Sequence, residues 1–166
     1  FCAEHGIRMI TIRDLIQYRM QHERLVRKIA EANLPTSYGP FRIHAFESGV
    51  DGEHHIALVM GEWEPEDPVL VRVHSQCLTG DIFGSLKCDC GDQLRLAVQA
   101  INAAGSGLLL YLDQEGRGIG LRNKMRAYGL QAQGHDTLDA DAILGYGPDE
   151  RRYGIASQAA VIATAV

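Results

Sequence analysis

The sequence lacks two features that would assign it to a broad class of protein. No uncharged apolar run is long enough to span a membrane, and no stretch is typical of a signal peptide. Basic residues are in the minority, with 16 Lys and Arg against 21 Asp and Glu. The resulting formal net charge of −5 provides no broad basic surface for nucleic acid. We therefore predict neither a membrane nor a nucleic-acid partner.

Cysteine is also scarce, with four residues in a chain of 166. Three of the four lie within a short segment, at positions 77, 88 and 90, and Cys2 stands apart as a bystander. A disulfide scaffold would need cysteines spread along a small secreted chain. This local group instead indicates a reducing compartment, and we expect a cytoplasmic protein.

The length and the hydrophobic content of 46% are sufficient for one domain with a real core. Strand-like runs occupy residues 41–47, 55–60, 69–73 and 107–112. A helical pattern at residues 91–104 separates the last two runs, which favours a βαβ crossover with parallel strands. We predict an α/β fold with mixed β-sheets and flanking helices.

The remaining elements are predicted from shorter patterns. Residues 8–12 read as a strand, followed by a helix that Asp14 caps. Residues 23–34 form a linker, or a further helix or strand, before a turn at residues 36–40. Asp92 is the expected N-cap of the helix at 91–104, and Gly105 is its stop. Later segments are expected as helices at 121–131 and 135–145, and as a helix or strand at 155–166.

The three clustered cysteines have the chemistry of a metal site. Cys88 and Cys90 are two positions apart, and Cys77 is far enough away for a loop to bring it back. Thiolates suit Zn²⁺, which takes four ligands: three protein ligands leave an open catalytic position, and four make a structural site. His74 could supply a fourth ligand. The alternative is that these cysteines are buried and inert, whereas a Cys88–Cys90 disulfide would be strained.

A second group of residues suggests anion binding. Residues 114–120 carry three glycines ahead of a helix, so backbone amides can approach a ligand closely. Arg117, Arg122 and Lys124 add positive charge. The pattern matches neither common phosphate motif, and a tight turn between strand and helix is the alternative. Together with Asp149 and Arg151, these residues suggest metal-assisted hydrolysis of a phosphorylated substrate.

Several longer motifs resemble GTP cyclohydrolase II, an enzyme family of riboflavin biosynthesis. The motifs are RVHSQCLTGD, KCDCGDQL, YLDQEGRGIGLRNKMRAYGLQ, GHDTLDAD and DERRYG, and the resemblance runs from about residue 34 to about residue 157. Residues 1–22 resemble the end of 3,4-dihydroxy-2-butanone 4-phosphate synthase, which is paired with this enzyme in bifunctional proteins. The resemblance predicts a synthase tail and linker at residues 1–33 and an incomplete cyclohydrolase domain at residues 34–166.

The resemblance implies a zinc-dependent reaction. GTP would lose pyrophosphate, and its imidazole ring would be opened with release of formate. The product would be 2,5-diamino-6-ribosylamino-4(3H)-pyrimidinone 5′-phosphate. Cys77, Cys88 and Cys90 match the zinc ligands of the family, and Mg²⁺ is expected with the GTP phosphates. The family also implies a homodimer.

The same resemblance implies roles for single residues. Tyr128 matches a tyrosine near the reacting purine, Asp149 a proton acceptor, and Arg151 a proposed nucleophile towards the α-phosphate. The implied GTP contacts are Arg72, Val73, His74, Ser75, Gln76, Gln93, Glu115, Gly116, Arg117 and Thr137.

The sequence departs from the family pattern in three places. Gln76 stands where many members have Glu, and Lys87 where many have Arg. Family members also continue past residue 166 to a segment with further phosphate contacts. The alternative function is therefore a non-catalytic, zinc-stabilised module that binds a nucleotide or a partner domain.

Overall fold

One five-stranded mixed sheet forms the centre of the protein. A computed structural model describes residues 1–64 and 66–164. The strands are β1 (Val26–Thr36), β2 (Gly39–Ser48), β3 (His54–Met60), β4 (Val71–Ser75) and β5 (Gly107–Leu112). Their order across the sheet is β1-β2-β3-β5-β4. The α/β fold with a mixed sheet and flanking helices is thereby confirmed.

In the described ranges, one helix precedes the strands, two lie between β4 and β5, and three follow β5. They are α1 (Ile12–His22), α2 (Leu78–Asp81), α3 (Cys90–Ala104), α4 (Gly120–Gln131), α5 (Thr137–Ile143) and α6 (Gly154–Thr164), with a short 3₁₀ turn at Glu115–Gly118. None of the helices in the described ranges combines the length and the apolarity needed to cross a bilayer.

The sheet is antiparallel except at one edge. Strands β1, β2 and β3 form an antiparallel meander, and β3 pairs antiparallel with β5. Strand β4 pairs in parallel with β5, with Ser75 opposite Leu112. Helix α3 makes the connection between these two strands, which confirms the predicted parallel pairing. The carboxyl ends of β4 and β5 consequently lie side by side.

Each face of the sheet carries its own core. Alternate residues of β5 point to opposite faces, as the period of two in a strand requires. On one face Leu108 and Leu110 join Phe46 and pack against Ala159 of α6. On the other face Leu109 packs with residues of α3, of which Val98 and Ile101 are buried. The sheet is therefore covered on both sides.

Some local predictions were wrong. Residues 8–12 form no strand, since helix α1 begins at Ile12 behind the N-cap Thr11. Asp14 is the third residue of the helix and forms a capping box with Thr11, in which the Asp14 carboxylate accepts from the Thr11 amide at 2.9 Å. Helix α3 begins earlier than expected, with Asp89 as N-cap, and Asp92 lies in its first turn. Gly105 ends this helix with φ of 73°, as predicted.

The structure shows the element type of two segments for which the sequence allowed either a helix or a strand. The stretch at 23–34 is largely strand β1, which spans both sides of the domain boundary predicted between residues 33 and 34; that boundary stays a prediction. The stretch at 155–166 is helical up to Thr164, and its last two residues lie outside the described ranges. Helix α6 is tied to the segment after α1, because the Gln158 side chain accepts from the Leu25 amide at 2.8 Å.

Truncation of a buried ring tests the core on the α6 face. Phe46 is fully buried there. We expect Phe46→Ala to lower the free energy of unfolding by about 3–5 kcal/mol, because the change removes transfer energy and leaves a cavity. The matched control is Phe83→Ala, since Phe83 is 72% exposed and its loss should change stability by less than about 0.5 kcal/mol. Urea unfolding measures both, and equal losses would contradict this description of the core.

The buried histidines of β2 and β3 predict a pH dependence of stability. Burial lowers the pKa of His44 and of His55 from the ordinary value of 6.5. The folded protein therefore binds these protons more weakly than the unfolded chain does. The stabilisation is fully present above about pH 6.5 and is lost as the pH falls through the lower folded pKa.

We expect the urea midpoint to fall between about pH 7.5 and about pH 5.5, and to fall less steeply in His55→Gln. An exposed residue on the same strand, His54, provides the control substitution His54→Gln. The same slope in all three proteins would refute the assignment to His55.

Candidate active site

Three cysteine sulfurs meet beyond the carboxyl end of β4. Cys77 directly precedes α2, Cys88 lies in the following loop, and Cys90 is the first residue of α3. The three Sγ atoms lie within 4.8 Å of one another, and Cys77 and Cys88 are 3.6 Å apart. All four cysteines of the chain are free, so no disulfide joins Cys88 to Cys90.

Gly80 leaves space for these sulfurs because it has no side chain. A Cβ on Gly80 would lie 2.9 Å from Cys88 Sγ and 3.2 Å from Cys77 Sγ, so the sulfurs occupy space that any other residue would fill. Three convergent thiols in this arrangement match the ligand chemistry of Zn²⁺. The residues therefore fit a zinc ion.

His74 does not join the sulfur group, contrary to the suggestion that it could be a fourth ligand. Its Nε2 atom lies 3.1 Å from the Asp81 carboxylate, and its ring stacks on Tyr111. Among the described residues, the group of candidate ligand atoms has the three cysteines as its members. The buried position of His74 thus supports the loop and supplies no metal ligand.

Asp81 is the residue that fixes the Cys77 loop. Its side chain is 2% exposed. The carboxylate accepts from the Cys77 amide at 3.0 Å and from the Tyr111 hydroxyl at 2.7 Å, in addition to its contact with His74. Burial, followed by the charge and hydrogen bond of Asp81, raises the pKa of Tyr111. Strand β5 therefore holds Cys77 through a carboxylate on the short helix α2.

A buried ion pair lies directly behind the sulfurs. Lys124 Nζ is 2.6 Å from Glu115 Oε1 and 3.1 Å from Cys77 Sγ. Burial alone raises the pKa of Cys77, but hydrogen bonds from Lys124 and the backbone at Gly80 outweigh it, so the pKa is lowered. Burial and the neighbouring sulfurs raise the pKa of Cys90 to about 12. A divalent cation at the site would reverse that preference, because it favours thiolates.

The glycine-rich loop has a left-handed backbone at two successive residues. Gly116 has φ of 64° and Arg117 has φ of 59°, a conformation that residues with a side chain rarely adopt. The Arg117 carbonyl accepts from the Glu150 amide at 3.0 Å. A Cβ on Gly118 would lie 2.8 Å from the Glu150 carbonyl carbon. The loop and the segment after Pro148 are therefore in direct backbone contact.

That contact brings an acid and an arginine to the site. Arg151 donates to the Asp149 carboxylate at 2.6 Å and 2.8 Å. The hydrogen bond from Arg151 lowers the pKa of Asp149 to about 2, and the same bond raises the pKa of Arg151. Both groups are consequently charged at neutral pH, and a neutral guanidine is disfavoured here.

A polar cleft of about 370 Å³ joins these features. Its walls include the three cysteines, the glycine-rich loop, Tyr128 of α4 and Arg151. The Tyr128 hydroxyl lies 3.2 Å from Thr79 Oγ1, and Lys87 Nζ lies 5.0 Å from the centre of its ring. The cleft therefore combines a soft metal-ligand group, an aromatic ring and cations.

Comparison with known sequences assigns the chain that forms this cleft to a family. A sequence model described as GTP cyclohydrolase II matches residues 27–160, most of the chain. The chain belongs to the GTP cyclohydrolase II family. The family resemblance and the GTP cyclohydrolase II-like fold class predicted from the motifs are thus confirmed.

Two relatives of this family member show high identity. The riboflavin biosynthesis protein RibBA of Aquifex aeolicus (strain VF5) is 54% identical over 159 residues, which are 95% of this chain and 39% of that protein. The protein of the same name from Bacillus subtilis (strain 168) is 55% identical over 156 residues, which are 93% and 39%. The chain therefore spans about two fifths of the length of these relatives.

A solved structure also resembles this GTP cyclohydrolase II family member. It is RibBX, a two-domain 3,4-dihydroxy-2-butanone 4-phosphate synthase from A. baumannii. The TM-score is 0.43 at 29% sequence identity, and the match covers 68% of this chain and 29% of that chain. At this score the match adds nothing to the family assignment.

Most residues predicted from the GTP cyclohydrolase II motifs lie around the cleft. Besides the cysteines, those on its walls are Ser75, Gln76, Gln93, Glu115, Gly116, Arg117, Tyr128, Thr137 and Arg151. Four others are placed differently. Arg72 donates to Gln93 at 2.8 Å, Val73 packs on the α6 core, His74 is buried against Asp81, and Asp149 accepts from Arg151 outside the cleft walls. Their predicted roles in this family member stay predictions.

The sequence motifs of this GTP cyclohydrolase II family member did not reveal the contacts that two residues of the site make. Asp81 ends the motif RVHSQCLTGD, yet its bond to Tyr111 depends on a strand that follows much later in the chain. The sequence predicts that Lys124 adds positive charge for an anion, but its ammonium is paired with Glu115 and Cys77. Arg122 is exposed and lies outside the cleft walls.

The hydrogen bonds of Asp81 predict that substitution of Asp81 destabilises the protein more than substitution of Tyr111. We expect Asp81→Asn to lower the free energy of unfolding by about 1–3 kcal/mol, because an amide group would face buried donors. Tyr111→Phe removes a single donor and should cost about 0.5–1.5 kcal/mol. Urea unfolding of both variants makes the comparison, and an equal or larger loss in Tyr111→Phe would speak against Asp81 as the central acceptor.

Proposed function

We propose that this domain hydrolyses GTP to 2,5-diamino-6-ribosylamino-4(3H)-pyrimidinone 5′-phosphate, formate and pyrophosphate, as a zinc-dependent GTP cyclohydrolase II of riboflavin biosynthesis. The observation that carries the proposal is the convergence of the Cys77, Cys88 and Cys90 sulfurs on one wall of the cleft. Family membership and the names of the relatives agree with this assignment.

The sulfur group would supply the hydrolytic chemistry. Cys77, Cys88 and Cys90 would hold a zinc ion, which would supply Lewis-acid chemistry for the hydrolysis of the purine ring. The chain itself would orient the substrate. Tyr128 offers an aromatic face in the cleft, and its hydroxyl is held by Thr79. Gln93 and Thr137 offer polar groups on the surrounding walls.

Cations near the cleft would bind the triphosphate. Arg117 and Arg151 line it, and the Arg117 side chain is 44% exposed although it lies 3.6 Å from Asp141. Both arginines can donate in pairs to phosphate oxygens. Mg²⁺ on the phosphates would complete the neutralisation. Asp149 holds Arg151 in its charged form. We therefore assign Arg151 to the positioning of phosphate, and Asp149 to the acceptance of a proton.

The family resemblance extends the proposal to the whole protein. We propose a cytoplasmic homodimer, in which residues 1–33 are the tail of a preceding synthase domain plus a linker, and in which no nucleic acid or membrane is bound. The alternative, a non-catalytic zinc-stabilised module, would be favoured by a fourth protein ligand. The pairing of His74 with Asp81 removes the candidate for that ligand.

Release of formate tests the proposed activity. The zinc-loaded full-length protein is incubated with GTP and Mg²⁺, and formate and pyrophosphate are quantified. We expect both products in equal amounts, and a loss of at least about 100-fold in Cys88→Ser, since the site would lose one of its three thiolates. Cys2→Ser is the matched control, because Cys2 is outside the sulfur group. Failure of the unchanged protein to release formate, or equal rates in the two variants, would overturn the proposal.

A further inference from the structure

The buried lysine of α4 has an unusual environment. Lysine is rarely buried unless its charge is paired, yet Lys124 is only 8% exposed. Its ammonium has two close acceptors of different kinds, the Glu115 carboxylate at 2.6 Å and the Cys77 sulfur at 3.1 Å. The ring of Tyr128 lies 5.8 Å away on another side. The contacts thus join a carboxylate, a thiol and a cleft-wall aromatic ring through one cation.

The carboxylate end of this bridge is firmly fixed. Glu115 Oε1 accepts from Lys124 and from the Gly116 amide at 3.0 Å. Glu115 Oε2 accepts from the Leu78 amide at 2.7 Å. Leu78 is the residue after Cys77, so the same carboxylate holds both the lysine and the backbone beside the sulfur. Glu115 therefore determines where the ammonium stands relative to Cys77.

The sulfur end of the bridge bears on the charge of the metal site. Three thiolates and one divalent cation sum to a charge of −1, which makes the site a weaker Lewis acid than a neutral one. A hydrogen bond from a cation to a thiolate withdraws electron density from that sulfur. Among the described residues, the hydrogen bonds of Cys77, Cys88 and Cys90 include one from a cationic side chain, and its donor is Lys124.

We propose that Lys124 is a positioning residue of the sulfur site, whose buried ammonium holds Cys77 against Glu115 and reduces the electron donation of the Cys77 sulfur to the metal. The inference rests on the metal site of the proposed function but not on the hydrolysis of GTP. A role confined to neutralising Glu115 is the competing explanation. The two differ in what happens when Glu115 itself becomes neutral.

A cobalt substitution experiment separates these explanations in the absence of GTP. Co²⁺ is loaded into the full-length protein, and the sulfur-to-metal charge-transfer band is recorded for Glu115→Gln and for the double variant Lys124→Met with Glu115→Gln. The double variant contains no buried unpaired carboxylate, so a purely neutralising lysine is dispensable in it. We expect its band at longer wavelength than that of Glu115→Gln, because the sulfur lone pairs lose a hydrogen bond. Coincident bands would overturn the proposal.

Two further variants complete the design. Arg126→Met removes an exposed cation from the same helix and should leave the band unchanged. Lys124→Arg keeps a charged donor, and we expect its band near that of Arg126→Met. Should the double variant fail to fold, Lys124→Arg decides, and a band displaced to longer wavelength would contradict the inference. Because no nucleotide is present, a protein that fails to release formate can still confirm or refute the role of Lys124.

Discussion

Parallel pairing of β4 with β5 is the constraint on which the site depends. The two strands end together, with Ser75 opposite Leu112, and the Gln76 amide extends the ladder by donating to the Leu112 carbonyl at 2.8 Å. The loops that follow must therefore start side by side. The loop after β4 carries Cys77, and the loop after β5 carries Glu115. The bond from the Leu78 amide to Glu115 then joins the two loops beyond the sheet edge.

Negative charge accumulates behind this edge, and the fold accommodates it with buried hydrogen bonds. Asp81 and Glu115 are both nearly inaccessible, and each accepts from a backbone amide next to or at Cys77. Unpaired buried carboxylates would be costly, whereas here a histidine, a tyrosine and a lysine complete their bonding. The three cysteines thus stand on a rigid polar base, although they come from the residue before a short helix, a loop and a helix start.

The sequence predicted the parts of this arrangement that have a local signature. Cysteine spacing, glycine content and buried apolar runs identified the sulfur group, the loop at residues 114–120 and four strands. The sequence does not identify strand β1, because this strand lies at the sheet edge and most of its residues are exposed, so it has no clear alternation. Helix α1 was predicted, but its start was predicted wrongly because Thr11 and Asp14 form a reciprocal capping pair that only the backbone geometry reveals. Tyr111 is 30 residues from Asp81, and Cys77 is 47 residues from Lys124, so no local pattern encodes these two contacts.

The close approach between the glycine-rich loop and the Glu150 backbone has a wider consequence. Gly118 carries a hydrogen atom where a methyl group would strike a carbonyl of the other segment. Substitution of Gly118 is therefore sterically restricted, since even the methyl group of alanine would push apart two stretches of chain that both contribute residues to the cleft wall. A bound small molecule or a mutation that separates these two stretches of chain would disrupt the cleft wall without changing any of the three cysteines.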